Sequence, residues 1–242
     1  MKRTEQASEY VRGLLSGAAQ LVHSLQPQIQ SGRYDITFKS DGSPVTASDV
    51  LIETRLREYL ESNLPGLAFV GEESFDFVAR QSDGYLAVLD PIDGTENFCS
   101  GLKEWGVSLG LLHGTQHLGS MLLMPELGEC LMTGDALPKL QSRITGFSSS
   151  YHDAIAEGIK AAGEYRVTGC AVYNLFNVIR GSFARFVNPK GAYVWDLLPG
   201  LMLALEHGCD VLLNDEPYHG QFLDPTQKYR VDIQHRYDLH PR

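Results

Sequence analysis

Cysteine is scarce in this chain: four residues, Cys99, Cys130, Cys170 and Cys209, stand far apart and form no C-x-x-C pair. That spacing argues against a zinc cluster or a redox dithiol and fits reduced thiols in a cytoplasmic protein. Long apolar runs are missing too. No segment approaches the ~18 apolar residues of a membrane span, and the start, Met1-Lys2-Arg3-Thr4-Glu5, has no signal-peptide stretch. Basic residues are outnumbered, 20 Lys and Arg against 30 Asp and Glu, for a net charge of −10. A nucleic-acid polymer is therefore a poor partner. A small anion is not excluded, because bound divalent cations reverse the local sign. No P-loop or H-E-x-x-H occurs, so the mechanisms built on those motifs lack their residues. Internal repeats and low-complexity tracts are absent as well.

What is present is a chain of 242 residues, 43% hydrophobic, enough for one large domain or two closely joined halves. Its organising stretch is Leu89-Asp90-Pro91-Ile92-Asp93-Gly94-Thr95-Glu96-Asn97-Phe98. The apolar run Tyr85 to Leu89 predicts a buried strand that ends at the carboxylates, where a tight turn begins. Pro91 fixes one backbone angle, Gly94 permits close approach, and Thr95 can cap a helix whose N–H groups face an anion. Acids for a hard cation beside donors for a phosphate point to metal-assisted phosphate chemistry. Asp, Pro and Gly are also ordinary turn residues, so this string does not decide alone.

In chain order, residues 4–30 predict an amphipathic helix, ended or bent by Pro27 and Gly32. Thr46 and Asp49 have capping-box spacing at the start of a second helix, whose buried face is Leu51, Ile52, Leu56, Tyr59 and Leu60. Alone, Asp49 reads as helix-end electrostatics. Leu67 to Val70 predicts a strand, followed at once by Gly71-Glu72-Glu73-Ser74, with a polar connection over 75–84. Trp105–Leu112, His117–Met124 and Gly128–Thr133 predict an antiparallel meander. Residues 134–150, rich in Ser and Gly, are the expected boundary between halves, 1–140 and 141–242. Helices follow near 152–163 and 172–181, then a strand near 183–187. Trp195-Asp196 opens an apolar helix with Pro199 in its first turn and Gly208 at its end, so Asp196 alone reads as an N-cap. Cys209 to Leu213 predicts a closing strand, and the polar tail after Asp224 carries no assignment.

Taken together, Val45-Thr46-Ala47-Ser48-Asp49, Gly71-Glu72-Glu73-Ser74, Asp90-Pro91-Ile92-Asp93-Gly94-Thr95, Gly169-Cys170-Ala171 and Trp195-Asp196 resemble the inositol monophosphatase family, over about residues 7 to 215. The resemblance implies an α+β fold, a layered α-β-α-β-α sandwich of the sugar-phosphatase type. It implies two or three Mg²⁺ held by Glu72, Asp90, Asp93, Asp196 and the Ile92 carbonyl. It implies hydrolysis of a small-molecule phosphate monoester by direct attack of a metal-activated water, with Asp49 and Thr95 orienting the water and Glu72 assisting. Gly94 and Thr95 match the backbone donors to the phosphate, and Asp93, Asp196 and Ala171 border the substrate. Glu73 and Lys39 lie near the metal shell, and a homodimer is implied.

Physical chemistry agrees with the metal. Carboxylates about 5 Å apart repel by roughly 3 kcal/mol at an effective dielectric near 20, and oxygen-only donors suit Mg²⁺ better than Zn²⁺. On the substrate side, Asn188 stands where many inositol phosphatases carry an acid, with Lys190 nearby and the spacing one residue longer. A neutral amide suits a different leaving group. The ester stays open among a sugar or cyclitol phosphate, an amino-alcohol phosphate such as histidinol phosphate, and a nucleotide such as 3′-phosphoadenosine 5′-phosphate. The last would make the chain a 3′(2′),5′-bisphosphate nucleotidase. A non-catalytic scaffold on the same fold would have lost a metal carboxylate or the Asp49–Thr95 pair, and all are present.

Overall fold

The computed structural model describes residues 2–40, 42–75, 84–149 and 151–236, with side chains from residue 8 onward. Most of the connection expected over 75–84, and Asp41 in the loop before Pro44, lie outside the described residues.

The amphipathic stripe at the start folds as α1 (Lys2–Ser24) and α2 (Gln26–Gly32), with Pro27 in the first turn of α2 where its missing N–H costs little. The hairpin β1 (Ile36–Phe38) and β2 (Pro44–Thr46) leads into α3 (Ala47–Asn63). Leu14, Leu15, Ala18, Val22, Ile52, Leu56 and Leu60 pack these helices onto one face of a five-stranded sheet. Its strands are β3 (Ala68–Gly71), β4 (Tyr85–Asp93), β5 (Gly106–His113), β6 (Gln116–Met124) and β7 (Glu129–Met132), in that spatial order. The short helix α4 (Thr95–Cys99) leaves the end of β4. The β3–β4 pair is parallel, and the other pairs form the expected meander.

Along β4, Ala87 and Leu89 join the core under the first three helices, while Leu86 and Val88 turn to the opposite face. Burial on both faces is why this strand reads as a continuous apolar run.

The second sheet contains β8 (Ile144–Phe147), β9 (Glu164–Val167), β10 (Arg185–Ala192), β11 (Asp210–Leu213), β12 (Glu216–Pro217) and β13 (Tyr229–Gln234). Their order is β12-β11-β13-β10-β8-β9. Helix α5 (Asp153–Ala161) lies on its outer face, where a Cβ on Gly158 would come within 2.7 Å of Phe147. Helices α6 (Ala171–Arg180) and α7 (Val194–Glu206) fill the space between the two sheets. The layers are therefore α-β-α-β-α. Among the described residues no helix is long and apolar enough to cross a membrane.

Glycines set the close approaches in the middle layer. A Cβ on Gly200 of α7 would lie 2.5 Å from Leu175 of α6, and one on Gly106 of β5 would lie 2.8 Å from the Leu123 carbonyl and 2.5 Å from Val172. The contact at Gly106 involves rigid backbone. Gly106→Ala is expected to destabilise by about 1–3 kcal/mol through overpacking, read as a lower urea midpoint at unchanged slope.

Several boundaries differ from the sequence expectations. Strand β4 does not end before its carboxylates but runs through Asp93, because the β4–β5 register shifts between Asp90 and Asp93. That irregularity accommodates Pro91, which has no N–H to give to a ladder. Gly94, in the left-handed region at φ 83°, is the N-cap of α4, and Thr95 is the first helical residue. Helix α7 starts one residue before Trp195, with Tyr193 as N-cap, so Asp196 is its third residue and Pro199 falls beyond the first turn. The proline ring packs against β5, within 3.3 Å of where a Gly110 Cβ would stand. The Ser- and Gly-rich stretch 134–150 contains β8, and the tail contains β13.

Candidate metal and phosphate site

Strand ends and helix starts bring the acids together. Glu72 follows β3, and its N–H donates to the Leu89 carbonyl at 3.1 Å, extending the β3–β4 ladder and fixing Glu72 beside Asp90. Asp196 arrives from the first turn of α7. One carboxylate oxygen each of Glu72, Asp90 and Asp196 lie within 4.8 Å of one another. Among the described residues no other cluster of three or more Asp, Glu, His or Cys groups is spaced to hold a metal.

The four acids are held differently. Asp90 Oδ1 accepts the Ile92 N–H at 3.0 Å, while its Oδ2 is buried without a hydrogen-bond partner. Asp93 Oδ2 accepts from the Cys170 thiol at 3.0 Å and from the Val172 N–H. Asp196 Oδ2 accepts the Tyr193 N–H at 2.7 Å. Burial, then the charges of Glu72, Asp93 and Asp196, raises the Asp90 pKa well above the carboxylate range. Burial and the charges of Glu72 and Asp93 lift Asp196 to about 8. Asp93 rises to about 6, pushed up by burial and held back by its Cys170 and Val172 hydrogen bonds. Crowded acids with an orphaned buried oxygen and oxygen-only donors fit a hard divalent cation such as Mg²⁺ or Ca²⁺.

Lys39 Nζ bridges Glu72 at 2.9 Å and Glu73 at 2.8 Å. Burial works against its ammonium, but the Glu72 charge and the hydrogen bonds to both acids outweigh it and raise the pKa. Burial lifts Glu73 to about 7 against the opposing hydrogen bond from Lys39. Asp49 is fully buried and closes the capping box of α3, accepting from Thr46 N at 2.8 Å and Thr46 Oγ1 at 2.5 Å. Its other oxygen, Oδ1, is buried without a partner. Burial raises Asp49 to about 6, with the Thr46 hydrogen bonds opposing. Thr95 Oγ1 donates to the Ile92 carbonyl at 2.9 Å. Asp49 and Thr95 thus hydrogen-bond to separate partners.

Asp93, Asp196, Ala171 and Asn188 line one cleft of about 190 Å³, together with Ser148, Gly169, Tyr193 and Lys228. A larger cavity of about 380 Å³ lies under α5 on the far side of the second sheet and contains none of the acids above.

Sequence reasoning missed four supports of this site. Glu53 accepts the Glu73 N–H at 3.0 Å. Cys170 caps α6 and donates to Asp93. Asn97 Nδ2 donates to the Glu104 and Thr168 carbonyls, each at 2.7 Å, tying α4 to the loop before α6. Lys228 stands in the cleft lining from a tail that had no assignment. Asn97→Ala leaves two part-buried carbonyls short of donors, so a loss of about 1–2 kcal/mol is expected from the midpoint of urea unfolding. Asn97→Asp, whose ionised carboxylate donates to neither carbonyl, should do no better.

Against this fold and this cluster of acids, the family model for the inositol monophosphatase family matches residues 5–239. The chain belongs to that family and is by class a phosphoric monoester hydrolase. It is 29% identical over 204 residues to the inositol-1-monophosphatase SuhB of Mycobacterium tuberculosis, covering 72% of this chain and 70% of that protein. It is 26% identical over 216 residues to the 3′(2′),5′-bisphosphate nucleotidase CysQ of Shigella flexneri, covering 80% and 84%. A shorter match, 36% identical over 97 residues, is to the chloroplastic bifunctional phosphatase IMPL2 of Arabidopsis thaliana; it covers 40% of this chain and 28% of that protein. In three dimensions the chain is similar to an IMPase/NADP phosphatase crystallised with Mg²⁺ and phosphate, at a TM-score of 0.78, with 18% identity and 95% and 92% of the two chains covered.

Proposed function

We propose that the chain hydrolyses a small-molecule phosphate monoester with Mg²⁺, in two or three ions, by direct attack of water and without a phospho-enzyme. The carrying observation is the approach of Glu72, Asp90 and Asp196 to within 4.8 Å, with Asp90 Oδ2 buried and unpartnered. These three, Asp93 and the Ile92 carbonyl hold the cations. When bound, the metal acidifies water and offsets charge on the phosphoryl oxygens and the leaving group.

The chain's own groups do the rest. Asp49, lifted to about 6 with one oxygen uncommitted, takes the proton of the attacking water near neutral pH. Thr95 orients that water, its hydroxyl positioned by the Ile92 carbonyl. The N–H groups of Gly94 and Thr95 donate to the phosphate, and the left-handed Gly94 turns them toward it. A side chain at Gly94 would meet Cys170 Cβ at 2.9 Å, so the turn has no room for one. Ala171 and Asn188 border the leaving group.

Direct attack has its own test. A single turnover in ¹⁸O-labelled water is expected to place one label in each released phosphate, with no phosphate left on acid-quenched protein. Phosphorylated protein would end the direct-attack reading. The candidate esters differ chiefly in the charge they carry beyond the scissile phosphate.

A further inference from the structure

One wall of the cleft is built by an irregularity in the second sheet. Strands β10 and β13 pair with Asn188 opposite Val231 and Ala192 opposite Tyr229, leaving Pro189, Lys190 and Gly191 against Arg230 alone. The extra residues form a bulge. Asn188 closes it, its Oδ1 accepting the Gly191 N–H at 3.1 Å. Gly191 is left-handed at φ 88°, and a Cβ there would stand 3.3 Å from Lys228 Cβ and 3.2 Å from the Tyr229 backbone. A bulge of this kind re-aims the residues beside it. Here it brings Tyr193, just past β10, against Lys228, just before β13.

Lys228 Nζ sits 4.6 Å from the centroid of the Tyr193 ring. Tyr193 in turn stacks on Trp195 at 4.8 Å, and Trp195 meets Phe75 at 5.4 Å. The exposed ammonium is thus fixed at the end of a three-ring column while its N–H donors stay available. Lys228 is the one cation among the described residues lining the cleft, and the lining contains no acid besides Asp93 and Asp196. Asp196 belongs to the carboxylate cluster, and Asp93 is the further acid assigned to the cations above. Beyond those acids the lining offers two amides at Asn174 and Asn188, two serine hydroxyls at Ser148 and Ser149, and a positive charge.

Resting on the phosphatase reading above, we propose that the substrate carries a second anionic group, a phosphate or a carboxylate, and that Lys228 binds it. An ammonium on a rigid aromatic support attracts an anion and repels an amine. This wall therefore disfavours amino-alcohol phosphates and gives a neutral sugar phosphate no use for the lysine. Asn188, with its oxygen committed to Gly191, presents its NH₂ as a donor.

The test uses matched pairs with Mg²⁺: adenosine 3′,5′-bisphosphate against 3′-AMP, and 6-phosphogluconate against glucose 6-phosphate, with histidinol phosphate added. The doubly anionic member is expected to have the higher kcat/KM in at least one pair. That pair tells a second phosphate from a carboxylate. Lys228→Gln should raise KM for that substrate about 10- to 100-fold, the range of one charged hydrogen bond, with kcat changed less than about 3-fold. KM for its singly charged partner should stay within about 2-fold, and Lys228→Arg should restore the preference. Equal kcat/KM within both pairs, or a Lys228→Gln loss shared equally by both members, would overturn the proposal. Calorimetric binding of the same pairs reads the preference without turnover. Failure of every ester to hydrolyse would count against the phosphatase reading, and lack of binding preference against this one.

Discussion

Replacing Asp90 by Asn is expected to lower kcat/KM by at least about 10³-fold while making the metal-free protein more stable. Asp90 is buried, and its Oδ2 has no hydrogen-bond partner. Its remaining surroundings are other acids, which together with burial push its pKa far up. An Asn side chain keeps an oxygen for the Ile92 N–H and removes the charge that the neighbours resist. Coulomb repulsion at this spacing is worth roughly 3 kcal/mol per pair at an effective dielectric near 20. A gain of about 1–3 kcal/mol in chelator-treated protein above pH 8 follows from that figure. Activity should fall because losing a ligand weakens the cation on which the chemistry depends. Stability gained and function lost together mark an acid kept for its ligand role. If Asp90→Asn is both active and less stable, Asp90 is a structural residue.

The pH dependence of stability should be large in metal-free protein and nearly absent in Mg²⁺. Burial and mutual charge lift Asp93 to about 6, Glu73 to about 7 and Asp196 to about 8. In the unfolded chain such carboxyls titrate near pH 4. Between about pH 4 and about pH 8 the folded state therefore binds more protons than the unfolded one, and stability falls as pH rises. The favourable contribution is complete below pH 4 and gone above the highest folded pKa. A bound cation does the work of those protons, so the gap between Mg²⁺ and chelator should widen with pH to several kcal/mol. Urea midpoints at pH 5, 7 and 9 measure it. Parallel curves with and without metal would mean that the acids do not share a cation.

How much of this could be read from the chain depended on how far apart partners stand in sequence. Asp90, Ile92, Asp93, Gly94 and Thr95 form one unbroken segment, so their convergence needed no fold. Asp49 was legible as a capping-box residue, and the structure keeps it there. Asp196 sits at the third position of α7, where a helix-terminal acid looks the same whether or not it meets Asp90. Its place was visible through family likeness and not through local pattern. Cys170 and Asn97 meet partners 77 and 71 residues away, and no periodicity carries that information. Strand β13 did have a signal: Val231 and Ile233 are buried and alternate with Arg230 and Asp232. Polar neighbours on both sides, Thr226 to Lys228 and Gln234 to Arg236, diluted it. Lys228 could not be placed because its position depends on the bulge at Pro189–Gly191, which a sequence shows only as one residue too many.

The most direct test of the central claim is release of inorganic phosphate from 3′-AMP, adenosine 3′,5′-bisphosphate, glucose 6-phosphate, 6-phosphogluconate, inositol 1-phosphate and histidinol phosphate. Each is assayed with Mg²⁺ and with chelator, for the natural chain and for Asp93→Asn. Mg²⁺-dependent release from at least one ester, absent with chelator and lost in Asp93→Asn, is the predicted result. Release that survives chelation, or an Asp93→Asn protein as active as the natural one, would contradict the account.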